Sequence, residues 1–268
     1  MILAIDLGGT HVRMAGGDGA GDWDHMHRAR RPEGMTAAHL IATMRDVLAG
    51  WGAGEADISG IGVSAAAVVD ADGGIVRAEN IGWRDVPLAR LLREAFGVPV
   101  VVETDVFCGA LFEARHGQAR GVGSALYAAV GTGVGHALIL DGRVWRGASG
   151  GANAIGHMVI RRDGIGCYCG NAGCLCTIAS GRAQSSEAAP GGALEALAQA
   201  IGGAMTLIEP ERVILAGGAL AQPWFDRERL AALLPRFSYP GVKLPHLVTS
   251  DVADPNLRGA ALKLKERP

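Results

Sequence analysis

Apolar residues occur along the chain in short runs and in helical stripes, separated by glycine-rich turns. The runs ILAID at 2–6 and PVVVE at 99–103 are continuous apolar segments closed by an acid, which predicts buried strands. In the segment 37–51, positions 40, 41, 44, 47 and 48 are apolar and fall on one face of a helix. The pattern therefore predicts alternating strands and helices.

The same patterns predict the remaining elements and their grouping. Strands are predicted at 11–15, 60–64, 68–70, 124–130, 136–140 and 212–216, and helices at 87–96, 106–116, 192–208 and 255–265. A strand, a glycine turn and a second strand occur twice, at 2–15 and at 124–140, as if two related halves were joined. We expect an α/β protein of two domains with a cleft between them. The N-terminal domain covers 1–116 and is rejoined by the helix at 255–268, and the C-terminal domain covers 117–254.

Composition and charge remove several classes of function. The chain is 49% hydrophobic and 19% charged, which excludes intrinsic disorder. Its net charge is −2 and it has no run of basic residues, so we expect no nucleic-acid partner. The uncharged stretch 121–140 could span a bilayer, but its glycines favour two strands around a turn. The opening residues have no basic region and no cleavage site, so we expect a cytoplasmic protein without a membrane partner.

The first glycine turn follows the first strand and carries an acid before it. Gly8 and Gly9 expose backbone N–H groups to which an anion can come close, and Thr10 adds a hydroxyl. Asp6 cannot bind phosphate directly, but it can hold a metal ion that bridges phosphate oxygens. A plain hairpin turn explains this segment equally well when it is taken alone.

Two further glycine turns strengthen the nucleotide interpretation. Gly131, Thr132 and Gly133 repeat the arrangement after a strand, without the acid. Gly217 and Gly218 follow the strand at 212–216 and would let a flat ligand approach. Three such turns favour a nucleotide cleft over three separate hairpins. None of the lysines follows a glycine turn, which excludes a Walker P-loop.

Cysteines are concentrated in one short segment. His157, Cys167, Cys169 and Cys174 offer one imidazole and three thiolates, the donor set of a closed tetrahedral zinc site. All four positions would be filled, so this zinc would be structural. Free thiols are the alternative, and four cysteines within ten residues make it the weaker one. Cys176 is a spare thiol two residues further on that could compete as a ligand.

Asp105 lies where an apolar strand ends and a helix begins. A carboxylate at that point could act as a general base, but helix capping is the commoner role of aspartate there, and position alone favours it. Glu103 lies two residues back along the strand and is the nearest rival for the role of base.

With these elements in order, the chain resembles the ROK family of sugar kinases, within the actin/hexokinase-like ATPase superfamily. The most specific likeness is Gly156-His157-Met158 followed by CYCGNAGCL at 167–175, which matches the family's zinc signature. The resemblance implies two ribonuclease H-like domains and a small zinc-bound loop element. It also implies a homodimer and the cofactors ATP, Mg²⁺ near Asp6 and structural Zn²⁺. The nearest members are glucokinases and N-acylhexosamine kinases.

The resemblance also implies roles for individual residues. Asp6–Thr10 and Gly131–Gly135 would be phosphate turns, and Gly217-Gly218 the adenosine turn. Asp105 becomes the expected general base, which reverses the preference for a cap. Contacts to the sugar are expected from Asn80, Thr104, Asp105 and His157. Many family members are repressors with an N-terminal DNA-binding helix pair, and a phosphate turn that starts at residue 6 leaves no room for one.

The chain departs from the family pattern at positions expected to touch the sugar, whereas Asn80 is retained. The family usually has Asn at Thr104, Glu at Ala154, Glu at Cys176 and Pro-Gly at Ala66-Ala67. A pocket with fewer polar groups binds the sugar less tightly or prefers a different substrate. We therefore expect an ATP-dependent kinase of a sugar or sugar-like substrate, a hexose or an N-acylhexosamine such as N-acetylmannosamine. The alternatives are a kinase of a non-hexose alcohol and a catalytically silent ligand-binding or regulatory protein.

Overall fold

Each strand and helix predicted from the apolar pattern is present in the computed structural model, which describes residues 1–19, 23–186, 189 and 191–267, and several shorter elements accompany them. The strands are β1 Ile2–Leu7, β2 His11–Gly17, β3 His25–Arg30, β4 Gly60–Ala65, β5 Val68–Val69, β6 Ile75–Ala78, β7 Trp83–Val86, β8 Val100–Thr104, β9 Ser124–Val130, β10 Val134–Leu140, β11 Arg143–Trp145, β12 Arg212–Ala216 and β13 His246–Thr249. The helices are α1 Ala37–Gly50, α2 Leu88–Phe96, α3 Asp105–His116, α4 Cys176–Ala179, α5 Gly181–Gln184, α6 Ala193–Ile208, α7 Arg227–Leu233 and α8 Pro255–Lys265.

The chain divides into two compact units. The first comprises Met1–Glu113, Gly147–Gly151 and Val252–Pro268, and the second comprises Ala114–Arg146 and Ala152–Asp251. Each unit has its own buried apolar cluster, built in the first from strands β1, β4 and β8 with α1 and α2, and in the second from β9, β12 and α6. Burial of these clusters is the main favourable contribution to the stability of each unit.

The first unit is built on a mixed sheet with the order β3-β2-β1-β4-β8. Strands β1, β4 and β8 are parallel, and β2 and β3 are antiparallel to their neighbours. The register places Asp6 beside Ser64, and Ser64 beside Glu103. Since parallel strands end at the same edge of a sheet, the segments that follow β1, β4 and β8 lie close together.

Helix α8 closes one face of this sheet although it is distant in sequence. A Cβ atom on Gly62 would overlap the backbone of Ala260, so the helix lies directly on β4. The close approach brings Asn256 and Lys263, both on α8, to the acids of β1 and β8. The apolar positions Leu257, Ala260, Ala261 and Leu264 of α8 are buried.

The second unit repeats the arrangement with a sheet of order β11-β10-β9-β12-β13. Strands β9, β12 and β13 are parallel, whereas β10 is antiparallel to β9 and to β11. The uncharged stretch 121–140 forms β9 and β10 with a tight turn between them, as its glycines predicted. The α/β prediction is confirmed, and both five-stranded sheets are mixed. Among the described residues, no helix combines the length and the apolar character that crossing a membrane requires.

Candidate functional site

The carboxylate of Asp105 lies at the carboxyl edge of the first sheet, where β8 ends and α3 begins. The side chain is partly buried, and its Oδ1 accepts a hydrogen bond of 2.8 Å from the N–H of Val106. Burial and the negative charge of Asp6 together raise the pKa of Asp105 to about 7, despite the opposing backbone hydrogen bonds. A carboxyl group poised near neutral pH has the basicity that proton abstraction requires.

Asp6 is buried, and both oxygens of its carboxylate accept hydrogen bonds. Its Oδ2 accepts bonds of 3.0 and 2.6 Å from the guanidinium of Arg13. Its Oδ1 accepts bonds from the Ser64 hydroxyl at 2.8 Å and the Asn256 amide at 3.2 Å. Four accepted bonds fill the acceptor capacity of a carboxylate. Because of this, direct coordination of a metal by Asp6 would require one of these donors to leave.

The turn at Gly8 and Gly9 is clamped to the segment that carries Asn80. A Cβ atom on Gly9 would lie 2.9 Å from the Cβ of Asn80, so only glycine fits without displacing that side chain. The guanidinium of Arg31 donates to the Gly9 carbonyl at 3.0 and 3.1 Å and to the Asn80 carbonyl at 2.8 Å. Arg31 therefore joins two segments that are far apart in sequence. Thr10, next in the turn, is exposed.

Two other predicted residues of this edge are buried and already paired. The hydroxyl of Thr104 donates to the carbonyl of Ala67 at 3.0 Å, and the residue is 1% exposed. Glu103 accepts from the Thr104 N–H at 2.9 Å and pairs with Lys263 at 3.6 Å. The carboxylate of Glu103 thus faces α8. The substrate contact assigned to Thr104 stays a prediction.

The glycine turns of the second unit lie at the carboxyl edge of its sheet, after the adjacent strands β9 and β12. Gly217 has φ +104°, and a Cβ atom there would overlap the carbonyl of Val130. The carbonyl of Gly131 accepts a bond of 2.7 Å from Gly181, and the Gly131 N–H donates to Gly133. Thr132 is exposed at the tip of the turn, and Gly218 is also exposed. The two turns present backbone groups at one edge, which suits a phosphate or a flat base.

Four metal-binding side chains converge in the loop that precedes α4. The donor atoms of His157, Cys167, Cys169 and Cys174 all lie within 4.8 Å of one another. The Cys167 sulfur is 3.5 Å from the Nδ1 atom of His157, and the sulfurs of Cys169 and Cys174 are 3.6 Å apart. With Zn–S and Zn–N bonds of about 2.3 and 2.0 Å, a tetrahedral zinc site has edges of about 3.5–3.8 Å. The residues fit a zinc ion.

The remaining nitrogen of His157 and the neighbouring thiols also bear on metal binding in this loop. The hydroxyl of Tyr168 lies 3.1 Å from the Nε2 atom of His157, so it can fix the ring with Nδ1 toward the thiols. Burial raises the pKa of Cys174 to about 12, and it also raises the pKa of Cys176. Metal binding would therefore release protons from these thiols. The sugar contact assigned to His157 stays a prediction.

His136 positions the short turn that carries His157, although no pattern in the sequence gives it a partner. Its Nδ1 atom accepts a bond of 3.1 Å from the N–H of Ile155, and its backbone N–H donates to Asn153. Burial lowers the pKa of His136, which keeps the ring neutral and Nδ1 available as an acceptor. Only the pairing of β10 with this loop brings the two segments together.

Sequence reasoning also missed the basic residues behind the first glycine turn. Arg13 binds Asp6 and also pairs with Asp254, and Arg31 binds backbone carbonyls. For Arg13 the sequence gives only a weak signal, its place three residues after the glycine turn. In the structure Arg13 is paired with Asp6 across the β1–β2 ladder. For Arg31 no signal exists, because its partners are main-chain oxygens.

The chain is similar in sequence to known proteins of two kinds, sugar kinases and xylose repressors. A glucokinase of Halalkalibacterium halodurans is 34% identical over 184 residues, 66% of this chain and 56% of that protein. A putative xylose repressor of a Caldicellulosiruptor species is 32% identical over 68% of this chain and 47% of that protein. The matches thus span about half the length of these relatives. A kanosamine kinase of Amycolatopsis mediterranei is 30% identical over 82% of this chain and 80% of that protein.

The fold and the family model agree with these relatives. A ROK family glucokinase from Streptomyces griseus, solved with glucose and AMPPNP, superimposes with a TM-score of 0.81 at 25% identity and covers 99% of both chains. The model of the ROK family matches residues 2–192, which is more than half of the sequence. The resemblance noted in the zinc signature and the glycine turns is confirmed, and this chain belongs to the ROK family.

Proposed function

We propose that this protein is an ATP-dependent kinase that phosphorylates a hydroxyl group of a sugar or a sugar-like alcohol. The observation that carries the proposal is the state of Asp105, a carboxyl group whose pKa is raised to about 7 at the carboxyl edge of the first sheet. The glucokinase and kanosamine kinase relatives support the same class of reaction.

Asp105 is the general base of the proposed reaction. A sugar hydroxyl is a poor nucleophile, and a carboxylate beside it can accept its proton as the oxygen attacks the γ-phosphorus of ATP. At pH 7 about half of a group with a pKa near 7 is ionised, so the base is available when substrate binds. Glu103 is less suited, because its carboxylate is 4% exposed and pairs with Lys263.

The glycine turns bind the nucleotide in this proposal. In the first unit, Gly9 and Thr10 offer backbone and hydroxyl donors to phosphate oxygens, and Gly8 shapes the turn because its own N–H bonds to His11. In the second unit, Thr132 and Gly133 offer such donors, and the N–H of Gly131 bonds to Gly133 within the turn. Gly217 and Gly218 accept the adenosine. Mg²⁺ supplies charge neutralisation on the phosphates when it is bound. Asp6 acts on the Mg²⁺ through its charge and not as a direct ligand, because its oxygens are held by Arg13, Ser64 and Asn256.

The acceptor is a sugar or cyclitol that needs fewer hydrogen bonds than glucose does in a family pocket. The hydroxyl of Thr104 donates a hydrogen bond to the carbonyl of Ala67, and Cys176 lies beside the metal-binding thiols. Neither residue carries the amide or carboxylate that the family usually has at its position. Asn80 is partly buried, and it is the residue to which the family resemblance assigns a contact with the sugar. An amino sugar is compatible with the kanosamine kinase relative.

A coupled assay tests the proposal directly. The protein is incubated with Mg·ATP and separately with hexoses, aminohexoses, N-acylhexosamines and cyclitols, and release of ADP is followed. We expect one class to stimulate ADP release at least about 100-fold over the background without acceptor, the contribution typical of general-base catalysis. Failure of every class, with Mg·ATP bound, would oppose the kinase proposal.

The second candidate is a ligand-binding regulator that has lost turnover. The xylose repressor match and the changed residues Thr104, Ala154 and Cys176 favour it. Calorimetry together with the coupled assay separates the two functions. A silent sensor binds a sugar in calorimetry but does not consume ATP when that sugar is present.

The metal centre has a structural role in this proposal. His157, Cys167, Cys169 and Cys174 would close a tetrahedron around zinc and fix the loop that leads into α4. Two backbone contacts already pin that loop, the bridge between Val159 and Cys174 and the bond from Leu175 to the Met158 carbonyl.

A further inference from the structure

The thiol of Cys176 lies beside two of the metal-binding side chains, although the family pattern has a carboxylate at this position. Its sulfur is 3.5 Å from the sulfur of Cys167 and 3.8 Å from the Nδ1 atom of His157. Those separations equal the edges of about 3.5–3.8 Å expected between two donors of one tetrahedral zinc ion. Relative to Cys167 and His157, Cys176 therefore lies at the distance of a fellow ligand, on the imidazole side of the group.

We propose that Cys176 is an alternative metal ligand that takes the coordination position of His157. The ion is then held by Cys167, Cys169, Cys174 and Cys176. This inference rests on the proposed metal centre and adds to it a fifth donor. Four-thiolate and three-thiolate-one-histidine sites are both closed structural zinc sites, so the exchange preserves the coordination number. On exchange the Cys176 thiol loses its proton to solvent, its sulfur binds the ion, and His157 leaves as a neutral imidazole.

The backbone around the two competing donors keeps them together. The N–H of Leu175, next to Cys176, donates to the carbonyl of Met158, next to His157, at 2.9 Å. Cys176 is 8% exposed and begins α4, whose residues 178 and 179 are buried in the apolar cluster of the second unit. The fold thus keeps the backbone at Cys176 close to that at His157.

The imidazole of His157 has a second contact, to Tyr168, that does not involve the ion. The Tyr168 hydroxyl is 3.1 Å from the Nε2 atom of His157, and the two rings pack edge to face with centroids 5.0 Å apart. Tyr168 can hold the ring after Nδ1 has left the ion, so the exchange need not leave His157 disordered. The exchange would move the imidazole off the ion while the metal stays bound.

Cobalt substitution of the full-length protein tests the proposal, because absorption from thiolate-to-cobalt charge transfer rises with the number of bound thiolates. The variants are His157→Ala, Cys176→Ser and the double variant. Cys108→Ser is the matched control, since Cys108 is a buried thiol in the first unit. Affinity is measured by competition with a coloured chelator, and circular dichroism checks the fold.

We expect His157→Ala to bind about one cobalt ion per chain with stronger charge-transfer absorption than Cys176→Ser, since it would hold four thiolates. The double variant should bind at least about 100-fold more weakly, beyond the roughly 10–100-fold that loss of an outer-shell partner causes. Adding Cys108→Ser to His157→Ala should change neither quantity. If His157→Ala misfolds, His157→Gln replaces it, because glutamine can keep the contact with Tyr168.

Two results overturn the inference while leaving the metal centre intact. One is that His157→Ala loses cobalt as completely as the double variant does. The other is retention of cobalt with only a three-thiolate spectrum. Absence of any metal from the unmutated protein would instead refute the metal centre itself.

Discussion

Replacement of Asp105 by asparagine should stabilise the folded protein at alkaline pH while it removes turnover. The folded-state pKa of about 7 lies above the unfolded value of about 3.9, so the folded chain binds this proton more tightly. The free energy of unfolding therefore falls as pH rises from about 4 to about 7 and then stays level. An asparagine side chain cannot ionise, so the variant avoids this loss.

The magnitude follows from the shift in pKa. One pKa unit corresponds to about 1.4 kcal/mol, so a rise of about three units costs about 4 kcal/mol once the group is ionised. Asp105 is only partly buried, and solvent screening reduces that figure. We expect Asp105→Asn to gain about 2–4 kcal/mol of unfolding free energy at pH 8 and close to nothing at pH 4. The amide oxygen can still accept the Val106 N–H, so the helix start is preserved.

Urea unfolding of both proteins at pH 4, 6 and 8 measures the gain, and the coupled assay measures turnover. Turnover on the preferred acceptor should fall by at least about 100-fold, the usual loss when general-base catalysis is removed, with the affinity for ATP unchanged. Glu103→Gln is the matched control, because it removes a carboxylate two residues away that pairs with Lys263. It should gain no stability at pH 8 and should keep turnover within a few fold.

Two outcomes would refute the reasoning. An Asp105→Asn variant no more stable at pH 8 than the parent would mean that Asp105 is not an ionised and destabilised group. Near-parental turnover in the same variant would transfer the role of base to Glu103.

Three further predictions concern other parts of the chain. Purified protein should carry about one zinc ion per chain, and metal analysis that finds none, with the loop thiols freely titratable, would count against the metal centre. Gly133→Val should abolish binding of Mg·ATP, because the added side chain blocks the approach of a phosphate. The fold should stay intact, because no atom lies within 4 Å of a Cβ placed at Gly133. Unchanged binding of Mg·ATP in calorimetry would contradict this prediction. Gly9→Val should also disturb Asn80, so it is the less clean variant. Arg31→Lys should raise KM for the acceptor about 10-fold or more, since lysine cannot bridge the Gly9 and Asn80 carbonyls, whereas Arg30→Lys on the exposed side of β3 should leave KM unchanged.

The amino-acid sequence was enough to predict the central strands, the long helices and most of the metal group, whereas short elements such as β3, β13 and α7 were not predicted. Buried strands and amphipathic helices were predicted within a few residues, because apolar periodicity is set locally by which face meets the core. His157, Cys167, Cys169 and Cys174 were predicted from spacing, since a loop of so few residues can hardly keep four donors apart. The uncharged stretch 121–140 was likewise predicted as two strands from its glycines.

The electrostatics and the long-range contacts, in contrast, depend on tertiary structure. The raised pKa of Asp105 needs both burial and the charge of Asp6, which parallel strands far apart in sequence bring to one edge. Arg31 bonds to main-chain oxygens, which every residue carries, so no sequence pattern marks its partners. The place of Cys176 beside His157 depends on the backbone bond between Leu175 and Met158. Local sequence sets how a segment folds, and the packing of distant segments sets which charges and donors meet.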